Sequence, residues 1–445
     1  MIKGIKVRLD PTPRQEGLLA SNAGAARKAF NIALARYKHQ LELGEDANYG
    51  AYANRKWFNE WKDELWPWWF QNSKEAYSSG FADFEAAMKN FYDSRAGKRK
   101  GPKVGFPKFK SKNDEKASWT YTTGGFGLVK NDPKALKLPK IGRVHCFGDV
   151  IRRVGSGKVK AMTISRYAGW WYASLRVEYP DPPVHKRASR KSLRVAGVDL
   201  GVKTLAVVSD GSVMENPKHA RRAQKKLRKA QRRMSRRVKG SKRYARARRA
   251  FQRANARVRF ARRADLEAFT SRLVKDYDVI CIEDLNVEGM KQNHCLAGAV
   301  SDASFGLFRS LLEFKALTHG VEVIVADRWF ASSKTCSACG SVKAKLDLSE
   351  RVYSCEECGV ALDRDLNAAF NLEDWAVDCL KRTDAGRTPE SLNARGGLVR
   401  RASRSLGVGK AARLGEARTR GVSDDALSLT VTPGVGARKG SMQDD

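Results

Sequence analysis

The sequence predicts an α+β protein of several domains: a small antiparallel β-barrel, a helical module inserted after the barrel's first strand, and a sheet-and-helix unit bearing a cysteine ribbon. Three observations predict it. Residues 2–9 alternate apolar and basic side chains with the period of a half-buried strand, and such alternation returns only from Trp119 onward. Between these stretches apolar residues recur at helical spacing. Past Pro180 the signals change to continuous apolar strands, followed by two C-x-x-C pairs.

Size and charge bound the function. The chain has 445 residues, which at ~100–200 residues per domain means two to four domains. Its 85 Lys and Arg stand against 48 Asp and Glu, a formal net charge of +37, with a pI near 10.1. Apolar residues make up 42%, enough for several cores, so wholesale disorder is excluded. No apolar run approaches the ~18 residues of a spanning helix, and Met1–Gln15 lacks a signal-peptide core, so a soluble, cytoplasmic protein without a membrane partner is expected. Such a positive chain repels itself unless a polyanion neutralises it, and nucleic acid is the abundant polyanion. The charge fits an ordinary metabolic enzyme poorly, and ten tryptophans fit a ribosomal protein poorly.

The first strand, with Ile2, Ile5, Val7 and Leu9 on its apolar face, ends at Pro11-Thr12-Pro13. From Gln15, residues Leu18, Leu19, Ala26, Phe30, Ala33, Leu34 and Tyr37 follow a helical period, as do Phe81, Phe84, Met88 and Phe91. Residues 15–103 therefore read as the helical module, nearly balanced at 14 basic and 11 acidic residues. Its tryptophans, Trp57, Trp61, Trp66, Trp68 and Trp69, suit core packing, or else stacking on exposed bases. A Gly/Pro/Lys stretch from Gly97 to Lys112 leads back to strands at Trp119–Thr123, Val144–Val150, Lys158–Arg166 and Trp170–Val177. These strands and the first form the barrel, residues 1–14 and 104–183, with Pro180-Asp181-Pro182-Pro183 as a closing linker.

A second unit spans 191–330. It opens with the strand Val195–Asp199, a turn at Gly201 and the strand Thr204–Ser209. Residues 218–263 then hold 22 Lys and Arg and no acid, broken at Gly240-Ser241. A basic helical hairpin follows, and because an all-cation helix lacks i,i+4 partners, contact with a polyanion is its reading. Lys225, Lys226, Arg232, Arg233, Arg236 and Arg237 are its candidate contacts. Strand signals resume at Asp278–Glu283 and Val321–Asp327, and a helix runs from Asp365 to about Trp375, inside a final segment, 361–380. Residues 381–445 read as a disordered basic tail.

Three acids stand where chemistry needs them. Asp199 and Glu283 each end an apolar strand, and Asp365 opens a helix. A lone acid there is usually a cap. Three converging carboxylates need a divalent cation, and hard oxygen donors suit Mg²⁺ or Mn²⁺. Two such ions about 3.5–4 Å apart can activate water and stabilise the leaving oxygen of a phosphodiester. Of the eight cysteines, Cys146, Cys281, Cys295 and Cys379 are isolated and read as small buried hydrophobes or incidental thiols. Cys336, Cys339, Cys355 and Cys358 form two knuckles, residues 331–360, able to close a four-thiolate site. With no open position, such a site holds one structural zinc.

Four blocks carry a resemblance: G-V-D-L-G-V-K (197–203), I-E-D-L-N (282–286), R-W-F-A-S-S-K-T-C-S-A-C-G (328–340) and D-R-D-L-N-A-A-F-N (363–371). Their residues and order resemble the TnpB (OrfB zinc-ribbon) family of insertion-sequence proteins, relatives of compact type V CRISPR effectors. K-V-R-L-D-P-T-P-R-Q near the start and F-P-K-F-K at 106–110 extend the likeness from residue 1 to about 380. The resemblance implies a wedge-type barrel with an inserted recognition module, then a RuvC-like nuclease of RNase H-type fold carrying a zinc ribbon. It implies a DNA endonuclease directed by a guide RNA, cutting double-stranded target DNA beside a short duplex motif. By resemblance Asp199 and Glu283 match the first two catalytic acids and Asp365 the third, with Asp363 as the alternative; Asp284 and Asp327 read as structural neighbours. Lys74 and Ser78 match positions where relatives present base-reading side chains. Two other readings stand beside this one: a guide-loaded repressor that binds without cutting, and an unguided transposase or recombinase.

Overall fold

The computed structural model describes residues 1–99, 101–112, 117–180, 193–347 and 349–384. The chain divides into two compact units, Met1–His185 with Lys225–Arg257, and Lys186–Gln224 with Val258–Asp445.

In the first unit, β1 (Ile2–Asp10) leads to α1 (Pro13–Glu42), whose N-cap Thr12 and Gln15 form a reciprocal capping box. Helices α2 (Ala51–Leu65) and α3 (Lys74–Arg95) follow. The remaining strands are β2 (Ser118–Tyr121), β3 (Gly127–Val129), β4 (Asp132–Leu138), β5 (Gly142–Cys146), β6 (Lys158–Tyr167) and β7 (Trp170–Glu178), with the short helix α4 (Val150–Val154) after β5. They form one seven-stranded sheet in the order β2-β6-β7-β1-β5-β4-β3. Strand β1 bridges its halves: Ile2–Arg8 pair with β7, and Leu9 and Asp10 with β5.

The sheet differs from a closed barrel, because β2 and β3 do not pair among the described residues. Helix α3 satisfies the free edge instead. The Ser79 hydroxyl accepts from the Thr120 N–H at 2.8 Å and donates to its carbonyl at 3.2 Å. The buried Glu75 carboxylate takes the Thr122 N–H and the hydroxyls of Thr122 and Thr123. A covered edge needs no strand partner. Val150, expected to finish a strand, opens α4 instead, where Asp149 caps the helix. Strands β3 and β4 fall where no alternation was visible.

The tryptophan cluster divides. Trp57, Trp66 and Trp69 pack against the core, with Trp66 stacked on Phe58 at 5.4 Å, whereas Trp61 and Trp68 are exposed. Of the isolated cysteines, Cys146 and Cys281 are buried, Cys379 is half-buried and Cys295 is exposed.

The second unit contains β8 (Val195–Asp199), β9 (Thr204–Val208) and β10 (Val213–Glu215). Next come the hairpin helices α5 (His219–Ser235) and α6 (Lys242–Asp276), parts of which count with the first unit. After them lie β11 (Val279–Glu283), α7 (Val287–Gln292), α8 (His294–Ala303), α9 (Phe305–His319) and β12 (Glu322–Ala326). The ribbon strands β13 (Val352–Ser354) and β14 (Ala361–Asp363) then run into α10 (Arg364–Asp384).

The five-stranded sheet has the order β10-β9-β8-β11-β12. Strands β8, β11 and β12 are parallel, while β9 and β10 run antiparallel beside β8. Both faces are covered, which is why β8 and β11 read as unbroken apolar runs. Ala196, Val198, Ile280 and Ile282 face Leu266, Phe269, Leu273, Phe308 and Leu312, whereas Val279, Cys281 and Ala326 face Leu372 and Ala376 of α10.

Helix α6 runs past Arg263, where the basic pattern stops, because Leu266, Phe269 and Leu273 continue its buried stripe. Helix α10 runs beyond Trp375 and takes in 381–384, which were expected to belong to the tail; residues 385–445, like 181–183 of the linker, lie outside the described residues. Against the sequence expectation, one stretch, His294–His319, is long and apolar enough to cross a membrane by length and composition. It is broken at Ser304, whose φ is +58°, and Phe305, Phe308, Leu311 and Leu312 are core residues.

Candidate active site

Asp199 and Glu283 end adjacent parallel strands. Cys281 pairs with Gly197 and Ile282 with Val198, so the next position on each strand is an acid. The carboxyl ends of parallel strands are where open α/β sheets place ligands. Helix α10 supplies the third acid through a close approach. A Cβ at Gly197 would lie 1.9 Å from the Ala369 carbonyl oxygen and 2.5 Å from the Glu373 N–H nitrogen. Only glycine lets the helix backbone lie on the strand there. Asp365 stands one turn before Ala369, on the side of the strand's carboxyl end.

Gly197→Ala should force α10 away from β8. The expected result is a loss exceeding the ~1–3 kcal/mol of ordinary overpacking, measured by thermal unfolding, together with displacement of Asp365.

Burial raises the Asp199 carboxyl well above the ordinary carboxylate range, and the charges of Glu283 and then Asp365 push it further; Arg364 opposes them. Burial also raises Glu283, against a hydrogen bond donated by Ser332 Oγ. The Asp365 side chain, 18% exposed, lies 3.4 Å from the Arg364 guanidinium. Asp363 has a different task. Its Oδ1 accepts from the Asp365 and Leu366 N–H groups at 2.9 and 3.0 Å, capping α10. Asp284 pairs with Arg309 at 2.9 Å and with Arg328 at 2.6 Å, and Asp327 accepts the Trp329 N–H at 2.8 Å.

Sequence reasoning missed Ser332, whose hydroxyl holds Glu283. It also missed Asn367 and Asn371, both buried on α10. Asn371 donates to the carbonyls of Ser332 and Thr335, each at 2.7 Å; Asn367 donates to the Thr335 carbonyl and accepts from the Ser337 N–H. These amides fasten the segment leading into the first cysteine knuckle to the helix bearing Asp365. The signal was present: Asn367 and Asn371 sit one helical turn apart in the fourth block.

The ribbon brings all four predicted cysteines together. Their sulfurs lie within 4.8 Å of one another, with Cys336–Cys358 and Cys339–Cys355 both at 3.6 Å. A tetrahedron with Zn–S near 2.3 Å has edges of about 3.8 Å, so the donors fit zinc. Each knuckle closes identically, Gly340 N–H to Cys336 and Gly359 N–H to Cys355, at glycines with φ of +78° and +71°. Ser341 and the Cys358 N–H pull Cys355 down to about 6. Among the described residues no second group of three or more such ligands comes so close, so the acids Asp199, Glu283 and Asp365 are neighbours spaced more widely than the thiols.

In the first unit, a groove of about 670 Å³ is lined by Lys225, Arg228, Lys229, Arg232, Arg233, Arg236 and Arg237. Lys226 instead lines a second groove, of about 570 Å³, with Arg246, Arg249, Arg253 and Arg257. Lys74 is exposed at the first position of α3 and Ser78 is half-buried one turn later.

The chain matches OrfB_IS605, described as "Probable transposase", over residues 174–294. It matches the Cas12f1-like TNB domain over 305–372 and the OrfB_IS605 helix-turn-helix domain over 1–46. Two similar proteins carry the name "Putative RNA-guided DNA endonuclease". Rv2885c of Mycobacterium tuberculosis is 36% identical over 401 residues, covering 83% of this chain and 86% of that one. InsQ of Escherichia coli K12 is 33% identical over 393 residues, covering 83% and 91%. The cryo-EM structure of a Cas12f1–sgRNA–target DNA complex aligns with 84% of this chain and 98% of that chain, at 14% identity and a TM-score of 0.46. With more than a third of positions identical across most of both chains, this protein belongs to the TnpB (OrfB_IS605) family.

Proposed function

We propose that the protein is an RNA-guided, divalent-metal-dependent DNA endonuclease of a transposable element, acting in the bacterial cytoplasm with a RuvC-type site made of Asp199, Glu283 and Asp365. The observation that carries this reading is the placement of Asp199 and Glu283 at the carboxyl ends of the adjacent parallel strands β8 and β11, with Asp365 at the start of α10 close enough that its charge, after that of Glu283, acts on Asp199. The sheet order, with its central strand β8 flanked by one antiparallel and one parallel neighbour, supports the RNase H-like reading. Similarity to proteins named RNA-guided DNA endonucleases supports guide RNA and double-stranded DNA as partners.

The donor set is three carboxylates with hard oxygens, two of them raised by burial, which suits Mg²⁺ or Mn²⁺. When bound, two such ions would activate water and stabilise the leaving oxygen. The chain's own work is placement. Strands β8 and β11 fix Asp199 and Glu283, Ser332 orients Glu283, and the Asp363 cap with the asparagine clamp fixes the start of α10. The grooves of the basic hairpin would bind the nucleic-acid backbone, and the exposed Lys74, with Ser78, would face the duplex motif. The domain plan is an open wedge-type sheet holding the recognition module, then the nuclease with its ribbon.

The test is to purify the complex, sequence the RNA it carries, and offer DNA matching that RNA. Cutting with Mg²⁺ and none with EDTA is expected. Binding without cutting in Mg²⁺, or cutting that ignores the RNA, would sink the reading.

A further inference from the structure

Between β12 and the first cysteine knuckle runs the strap Asp327–Ser332, and its two neighbouring aromatics part company. Phe330 is packed against Trp375 of α10, ring centroids 4.6 Å apart. Trp329 is 87% exposed, more than any other large apolar side chain among the described residues. A lone exposed apolar residue is ordinary on a protein surface. What sets Trp329 apart is that its backbone is pinned on both sides, behind it to Glu283 itself and ahead of it to the residue after Glu283.

Ahead of it, Arg328 is tied to Asp284, the residue after Glu283, at 2.6 Å. The Asp327 carboxylate accepts the Trp329 N–H at 2.8 Å, and its carbonyl accepts the Phe330 N–H at 3.1 Å. Behind it, the Ser332 hydroxyl donates to the Glu283 carboxylate. Ala326, where β12 ends, is the register partner of Glu283. Trp329 is three residues from Ala326 and three from Ser332, so its Cα lies within about 11 Å of either by chain length alone. The strap thus presents a large, uncovered indole on a pinned backbone, a short chain length from the strand ends that carry the acids.

We propose that Trp329 is a stacking platform for an unpaired base of the DNA strand being cut, close to the phosphate presented to Asp199, Glu283 and Asp365. This rests on the nuclease reading above and adds a substrate-positioning residue to it. Single-stranded DNA is the occupant that the surroundings favour. A base offers a π-face to an indole whatever its identity, as a nuclease whose sequence choice comes from guide pairing requires. The neighbouring charged side chains of Arg328 and Asp284 are engaged with each other, and the indole is the exposed apolar face that the strap offers to a base.

The test uses the full-length complex with its own RNA and single-stranded DNA in which a stretch complementary to that RNA is followed by unpaired nucleotides, carrying 2-aminopurine at one unpaired position at a time. In EDTA, where the strand is bound but intact, the wild-type protein is expected to quench the probe at one or two positions. Trp329→Ala should remove that quenching and Trp329→Phe should keep most of it. With Mg²⁺ restored, Trp329→Ala should cut roughly 10-fold or more slowly, the scale of losing one stacked base, with zinc content and thermal unfolding unchanged. Equal quenching by wild type and Trp329→Ala overturns the proposal, and so does slower cutting by Trp329→Ala with quenching intact. Failure of the nuclease reading shows separately, as a wild-type complex that quenches but does not cut.

Discussion

Replacing Asp199, Glu283 or Asp365 singly by Ala is expected to abolish cutting of guide-matched DNA while leaving guide-dependent binding nearly intact. Each substitution removes one carboxylate from a set that works together and no group placed to grip the nucleic acid. Loss of an outer partner of a metal ligand typically costs 10–100-fold, so loss of a ligand itself should exceed ~100-fold. Asp363→Ala is the informative control. It removes the cap of α10, at a cost of about 1 kcal/mol, but leaves the acid, so cutting should persist. The reverse pattern, with Asp365→Ala active and Asp363→Ala dead, would assign the third role to Asp363.

A second readout needs no cutting. Burial and its acidic neighbours hold the folded Asp199 carboxyl above its unfolded value. The fold then binds a proton the unfolded chain has released, so stability drops as pH rises above the ordinary carboxylate range. Asp199→Asn removes that penalty and should raise the melting temperature of the metal-free protein near pH 7. An unchanged or lower value would show that the three charges do not oppose one another in solution.

Cys355→Ser should lose the ribbon metal and, with it, most cutting. Zinc held by four thiolates contributes apparent folding free energy of roughly 10–16 kcal/mol in small zinc domains. Three thiolates and a serine keep little of that. The consequence reaches the acids through named bonds: freeing the knuckle loosens Thr335 and Ser337, which Asn367 and Asn371 tie to α10, and Ser332, which holds Glu283. Elemental analysis should find one zinc per wild-type chain and less in the variant. A zinc-depleted variant that cuts at the wild-type rate would uncouple ribbon from site.

Much of this arrangement could be read from the sequence because residue type and spacing carry it. A run such as Val195–Asp199 has one buried reading, and paired C-x-x-C motifs have few chemical uses. The basic hairpin was legible from its missing acids. What escaped was set by partners distant in sequence. Nothing in Ser79 or Glu75 announces that they cover the edge of β2, so a closed barrel was the natural expectation and an open sheet is found. A serine such as Ser332 carries no spacing rule, and its role exists only once β11 and the strap meet. Five tryptophans close in sequence also divide between core and surface: Trp57 and Trp61 lie on one helix, yet the first packs inward and the second is exposed.

The slot at Gly197 has a consequence for the order of events during synthesis. Strand β8 leaves the ribosome early, but the helix that must lie on it comes roughly 170 residues later, some 10–30 s at ~5–20 residues per second. Through that interval Asp199 has no Asp365, and Val279, Cys281 and Ala326, as each emerges, have no cover until the helix follows. A nascent or truncated chain is therefore sticky on one face of its sheet and chemically idle. Completion of the last helix closes the core and arms the molecule in one step, so an unfinished chain cannot damage the DNA of the cell making it.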